Sequence, residues 1–239
     1  MQKKVYTKGA QKWLRGIRKA IIGSPETHNA SPLYDQYLFK GFDTQELVAL
    51  EYGCGPARNI INWHNRFARI DGVDFEPVIE TARTHLDENN IPHPNLLVTD
   101  GNSIPTADNT YDVVYSVICL QHICSHSIRM DIFKEIFRVL KPGGRFCAQM
   151  GMGREDEHQQ TNIANGRITP YHVDNYAAEG TNGGADCSVE DQEYLKKDLR
   201  DIGFTNYASD ITLPVTSVKQ IKVKARHSRW IWFQVEKGI

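Results

Sequence analysis

No apolar run in the 239 residues reaches the roughly 18 needed to cross a bilayer, and no signal-type apolar core follows the basic start Met1-Gln-Lys-Lys-Val5. No charge of one sign prevails: 28 Lys and Arg face 29 Asp and Glu, a net −1, so no global field points to nucleic acid or a membrane surface. Cysteine is scarce. The five, Cys54, Cys119, Cys124, Cys147 and Cys187, are odd in number and scattered, which suits a reduced compartment better than a disulfide framework. There is no internal repeat and no low-complexity stretch. These absences lead to the expectation of a soluble, cytoplasmic globule with no membrane contact, of a length ordinary for one α/β domain with additions.

What is present alternates. Residues 7–22 carry Trp13, Leu14, Ile17 and Ile21 at helical spacing, with Lys8, Lys12, Arg15 and Lys19 on the opposite face. An aromatic stretch with Tyr34 and Tyr37 leads to an apolar strand over 47–52. A helix is expected over 57–67, a strand over 69–74, and a helix over 76–89 with Pro77 in its first turn. Strands follow over 95–100 and 111–118, then a helix over 127–140 closed by Lys141-Pro-Gly-Gly144, and a strand over 145–150. Single helices between strands imply a parallel sheet covered on both faces. Residues 151–187 are polar and read as irregular. A helix over 188–202 with Ser188 as N-cap and two β segments, 206–213 and 229–236, close the chain. The domain is thus one unit: a cap over 1–44, a core over 45–150, a polar insert over 151–187 on the substrate side, and a carboxyl-terminal helix with two strands over 188–239.

The first strand ends in Glu51-Tyr-Gly53-Cys54-Gly55-Pro-Ala-Arg58, an acid and then two glycines before a helix. Glycine at such a turn lets backbone approach a ligand. A dinucleotide would call for Gly-x-Gly-x-x-Gly, and Arg58 stands where the third glycine belongs. Further acids, Asp74 and Asp100, end the next two strands. In open parallel sheets ligands bind beyond the carboxyl ends of the strands.

With Gly72-Val-Asp74-Phe75-Glu-Pro77, Val98-Thr-Asp100-Gly101-Asn102, Tyr111-Asp112-Val-Val-Tyr-Ser116-Val117, Leu120-Gln121-His122-Ile123 and Leu140-Lys-Pro-Gly-Gly144, this set resembles the class I S-adenosylmethionine-dependent methyltransferases, of the small-molecule type 11 group. The resemblance covers residues 47–150. It implies a three-layer α/β/α Rossmann-like sandwich, with a mostly parallel seven-stranded sheet and an antiparallel last strand. It also implies S-adenosylmethionine as cofactor, leaving S-adenosylhomocysteine. Glu51 and the Gly53-Cys54-Gly55 turn would receive the amino-acid end of the cofactor, and Asp74 both ribose hydroxyls. Phe75 would pack on adenine, with Asp100, Gly101 and Asn102 at its edge. Ser116 and Val117 would underlie the methionine part, with Gln121 beyond them.

His122 follows the fourth strand near where the methyl should point and is the candidate catalytic residue on the acceptor side, although a structural histidine in a common family motif is the favoured reading. His122-x-Cys124-x-His126 has no completing ligand pair, so no metal is expected. His158, Tyr171 and His172 in the insert are further candidates for the substrate side. The expected reaction is methyl transfer to oxygen or nitrogen of a small polar acceptor. The alternatives are an RNA or protein methyltransferase using the basic first helix and the cluster Lys219, Lys222, Lys224, Arg226 and Arg229, or an adenosylmethionine-binding protein without turnover.

Overall fold

The computed structural model describes residues 31–91, 95–153, 157–175, 185–213 and 227–239. The helix expected over 7–22, and all of the basic cluster except Arg229, lie outside the described residues. Seven strands form one sheet in the order β3-β2-β1-β4-β5-β9-β8. They are β1 (Val48–Tyr52), β2 (Arg69–Asp74), β3 (Leu96–Val98), β4 (Tyr111–Ser116), β5 (Leu140–Met152), β8 (Phe204–Thr212) and β9 (Arg229–Lys237). β1 to β5 pair in parallel, and β9 runs antiparallel to both β5 and β8. The expected seven-stranded sandwich with an antiparallel last strand is thus observed.

The layers follow from strand alternation, because successive side chains point to opposite faces. Leu50, Val114, Phe146, Ala148 and Phe233 pack with Ile132, Phe133 and Ile136 of α4 (His126–Val139) and with Leu195 and Leu199 of α6 (Gln192–Ile202). Their neighbours Ala49, Val113, Tyr115, Cys147 and Trp232 pack on the other face. There they meet Leu38 of α1 (Ser31–Leu38), Ile60 and Trp63 of α2 (Arg58–Trp63), and Ile79 and Leu86 of α3 (Glu76–Glu88). Central strands buried on both faces read as continuous apolar runs, which is why they stand out in the sequence.

Three expectations need correction. Residues 151–187 are not irregular throughout. They hold α5 (Glu157–Ala164) and a two-stranded parallel sheet of β6 (Ile168–Pro170) and β7 (Asp186–Ser188). Ser188 therefore ends a strand, and Asp191 caps α6 by accepting from the Glu193 N–H at 3.0 Å. Nor does Lys141-Pro-Gly-Gly144 separate helix from strand. β5 starts at Leu140, pairs it with Tyr111, and slips so that Arg145 meets Val113, with residues 141–144 bulged between them.

The insert is tied down by a buried cation. Arg129 on α4 donates to the carbonyls of Ile123 and Tyr171 and stacks over the Tyr171 ring at 4.9 Å. Tyr171 is thereby a core residue of the insert, and His172 lies beside Tyr194.

Candidate active site

The turn after β1 makes its sharp reversal with three alternate residues at positive φ: Gly53 (73°), Gly55 (55°) and Ala57 (66°). Its N–H groups are spent internally. Gly53 and Cys54 donate to the Val73 carbonyl, and Ala57 to that of Cys54. Gly55 donates to Asp74 Oδ2 at 2.8 Å, and Phe75 to Asp74 Oδ1 at 2.7 Å. Asp74, the last residue of β2, therefore grips the glycine turn while each oxygen keeps a second acceptor lobe. Burial pushes its carboxyl up to about 6, and those two N–H bonds oppose the rise.

Phe75 N-caps α3 and lies against Gly101, where an added Cβ would stand 3.4 Å from the ring. Tyr52 donates to the Gly101 carbonyl at 3.3 Å and so joins the ends of β1 and β3. Asp100 folds its own loop: Oδ1 accepts from the N–H groups of Asn102 and Ser103 and from the Ser103 hydroxyl. Those bonds hold its carboxyl below the usual range, so it stays ionised. The structure thus brings Gly53, Cys54, Gly55, Asp74, Phe75, Asp100, Gly101 and Asn102 to the carboxyl edge of β1, β2 and β3.

Glu51 sits beneath the turn rather than at that edge. It is 1% exposed. Asn59 Nδ2 donates to its Oε1 at 2.6 Å, and the Tyr115 hydroxyl to its Oε2 at 3.4 Å. Burial pushes its carboxyl up to about 8 against the bond from Asn59. A carboxyl raised in this way stabilises the fold below the unfolded value of 4.5, and that stability is lost as pH rises toward 8, because the unfolded chain sheds a proton that the native state keeps. Glu51→Gln should therefore flatten the pH dependence of stability over that window. Wild type is expected to lose about 1.4 kcal/mol per pH unit from this one group. Thermal melts from pH 5 to 8.5 would show it, and parallel curves for the two proteins would refute it.

Beyond β4 the chain turns tightly. Ser116 is buried and donates to the Tyr52 carbonyl at 2.9 Å, and Val117 is buried beside it. The Ile118 N–H donates to Gln149 Oε1 at 3.0 Å, and Gln149 Nε2 donates to Gln121 Oε1 at 3.2 Å, so two buried amides brace the loop. Cys119 packs directly on the glycine turn: a Cβ added to Gly53 would stand 2.1 Å from its Sγ. His122 closes the 3-10 turn Leu120–His122. Its Nδ1 lies 2.8 Å from Asp186 Oδ1, and the Nε2 of His227 lies 3.2 Å from Asp186 Oδ2. Nearby His126 engages Asp198 through Nε2 at 2.7 Å, away from His122. Asn59, Cys119, Gln149, Asp186 and His227 were not anticipated.

Some features lie elsewhere. A depression of about 570 Å³ lined by Asp35, Thr44, Trp63 and Arg66 lies at the amino-terminal edge, before β1 and before β2. In this architecture ligands bind at the opposite edge. Among the described residues no group of three or more His, Cys, Asp or Glu side chains could hold a metal ion. No helix there is long and apolar enough to cross a membrane.

Strand order, glycine turn and edge acids together define a class I, Rossmann-like methyltransferase fold. Residues 50–148 match the family described as "Methyltransferase domain", and this segment is similar to methyltransferases of the S-adenosylmethionine-dependent class. A curated relative is sterol 24-C-methyltransferase erg6 of Aspergillus fumigatus, 30% identical over 125 residues, which are 50% of this chain and 32% of that protein. The chain thus spans about a third of that relative's length.

Among solved structures, Haemonchus contortus phosphoethanolamine N-methyltransferase 2 in complex with S-adenosyl-L-methionine superposes with a TM-score of 0.61. It is 17% identical, over 88% of this chain and 53% of that one. The [4+2]-cyclase SpnF superposes at 0.64 with 18% identity, over 88% and 81%. At such identities the likeness is one of fold.

Proposed function

We propose that this chain binds S-adenosylmethionine at the carboxyl edge of β1 to β4 and directs methyl transfer to an oxygen or nitrogen of a small polar acceptor. The observation that carries the reading is Asp74. It is an ionisable acid at the end of β2 whose Oδ2 pins the glycine turn through Gly55 and whose Oδ1 takes the Phe75 N–H, and each oxygen still offers an acceptor lobe, which suits the two O–H donors of a ribose diol. Phe75 beside Gly101 offers an apolar face for adenine, and Asp100 keeps Oδ2 for its exocyclic amine. Glu51, under the turn, holds Asn59 at the start of α2 and so supports the turn from beneath. The sulfonium supplies an electrophilic methyl. The protein's part is to align the nucleophile and exclude water, which can be worth several kcal/mol.

The relatives differ in acceptor, a sterol carbon in one name and phosphoethanolamine nitrogen in another, and a cyclase shares the fold. Site chemistry therefore has to decide, not architecture. The polar insert favours a polar acceptor. The RNA or protein alternative rests on basic segments that, apart from Arg229, lie outside the described residues. S-adenosylmethionine or S-adenosylhomocysteine should raise the melting temperature of the purified chain and NAD should leave it unchanged. Stabilisation by NAD alone would overturn the assignment.

A further inference from the structure

Three separate parts of the chain meet at the His122 turn. Asp186 begins β7 of the insert and is 3% exposed; His227 precedes β9 and is also 3% exposed. Since β9 is antiparallel to β5, with Arg229 opposite Met152, His227 lies at the same carboxyl edge as Gly53 and Asp74. Its ring occupies the space over Gly151, where a Cβ would come within 2.3 Å, so only glycine admits it. His122 is different. Its side chain is 48% exposed, and it lies one short turn beyond Cys119, which touches the glycine turn.

The proton positions follow from satisfaction of buried groups. Among the described residues, His227 Nδ1 is buried with no hydrogen-bond partner. A proton there would be an orphaned buried donor, which is rarer in proteins than an under-satisfied acceptor. The proton on Nε2 is the one donated to Asp186 Oδ2. Burial alone would raise the Asp186 carboxyl, but the bonds from His122 and His227 outweigh it and hold it well below the usual range. An ionised Asp186 takes Nδ1–H from His122 and leaves the Nε2 lone pair on the half-exposed side.

We propose, on the basis of the cofactor reading above, that His122 Nε2 is the base for an acceptor that arrives protonated, a hydroxyl or an ammonium, and that Asp186 and His227 are its positioning residues. His122 takes the proton from the acceptor. The acceptor's freed lone pair forms the bond to the methyl carbon, the carbon–sulfur pair stays on sulfur, and the proton then passes from Nε2 to water. An acceptor with no proton to lose, such as a tertiary amine, has no use for this arrangement. The ionisable groups packed round the turn are Asp186 and Cys187 of β7, His227, Cys119 and Cys124 of the same loop, and Arg129, which donates to the Ile123 carbonyl.

The test needs no acceptor. Nitrogen-15 long-range NMR of the whole chain, with His122 assigned by the loss of its signals in His122→Gln, should show Nδ1 protonated and Nε2 bare. Asp186→Asn should mix or reverse that tautomer. The His122 Nε2 resonance should move further on binding S-adenosylmethionine than on binding S-adenosylhomocysteine, because only the former brings a positive charge to Nε2. A protonated Nε2 in the neutral wild-type ring, or the same Nε2 resonance with both ligands bound, would overturn the proposal even if Asp186→Asn fails to fold. If neither ligand binds, the cofactor reading fails and this one falls with it.

Discussion

Gly53→Val should abolish S-adenosylhomocysteine binding and lower the melting temperature of the free chain by roughly 10 °C, an effect of about 4 kcal/mol at the few degrees per kcal/mol expected for this size. Two causes add. Gly53 has φ 73°, a left-handed conformation that a β-branched residue adopts only under strain. Its Cβ would also stand 2.1 Å from Cys119 Sγ and 2.7 Å from Cys119 Cβ. The reason differs from the one the bare motif suggests. A side chain at this glycine would strike the loop after β4 before it reached any ligand, and both loops framing the site would move. Cys119→Ala in the Gly53→Ala background removes the nearer overlap and leaves the φ penalty and the 2.7 Å approach to the Cβ at position 119, so it should restore part of the stability. A Gly53→Val protein that melts like wild type and still binds would contradict this account of the turn.

The cofactor half of the site is legible in the sequence because each of its parts is local. An apolar run, an acid at its end and a glycine or proline just beyond are contiguous, and Asp74 reaches Gly55 only because parallel pairing of β1 with β2 sets Tyr52 beside Val73. The core layers are legible for the same reason: strand alternation and the apolar stripe of α4 repeat over enough residues to register.

The acceptor half is not. His122 meets Asp186 across 64 positions and Asp186 meets His227 across 41, through a strand of only three residues, Asp186–Ser188. No periodicity marks so short a strand, and an isolated Asp in a polar stretch reads as solvated. The cap of α6 fails in a related way. Ser188 and Asp191 are both competent N-caps, and only the pairing of Ser188 with Pro170 in the small sheet removes it from the competition.

Asp74→Ala should separate binding from stability. In the free chain the variant loses two hydrogen bonds, to the Gly55 and Phe75 N–H groups, but it also sheds a carboxylate whose burial has pushed it up to about 6. These effects oppose, so its melting temperature should stay within a few degrees of wild type. Binding has no such compensation. Two charge-assisted bonds to a ribose diol, each worth about 1.5–3 kcal/mol, would be lost, and S-adenosylhomocysteine affinity should fall by about 10²–10⁴-fold.

The pH dependence carries the same signature. Asp74 must be ionised to accept from both hydroxyls, so wild-type affinity should weaken as pH drops through about 6, while the weak affinity of the variant should be flat there. Calorimetric titrations from pH 5 to 8 would read both effects. An Asp74→Ala chain that binds within threefold of wild type would remove the ribose from Asp74 and reopen the choice of ligand for this edge of the sheet.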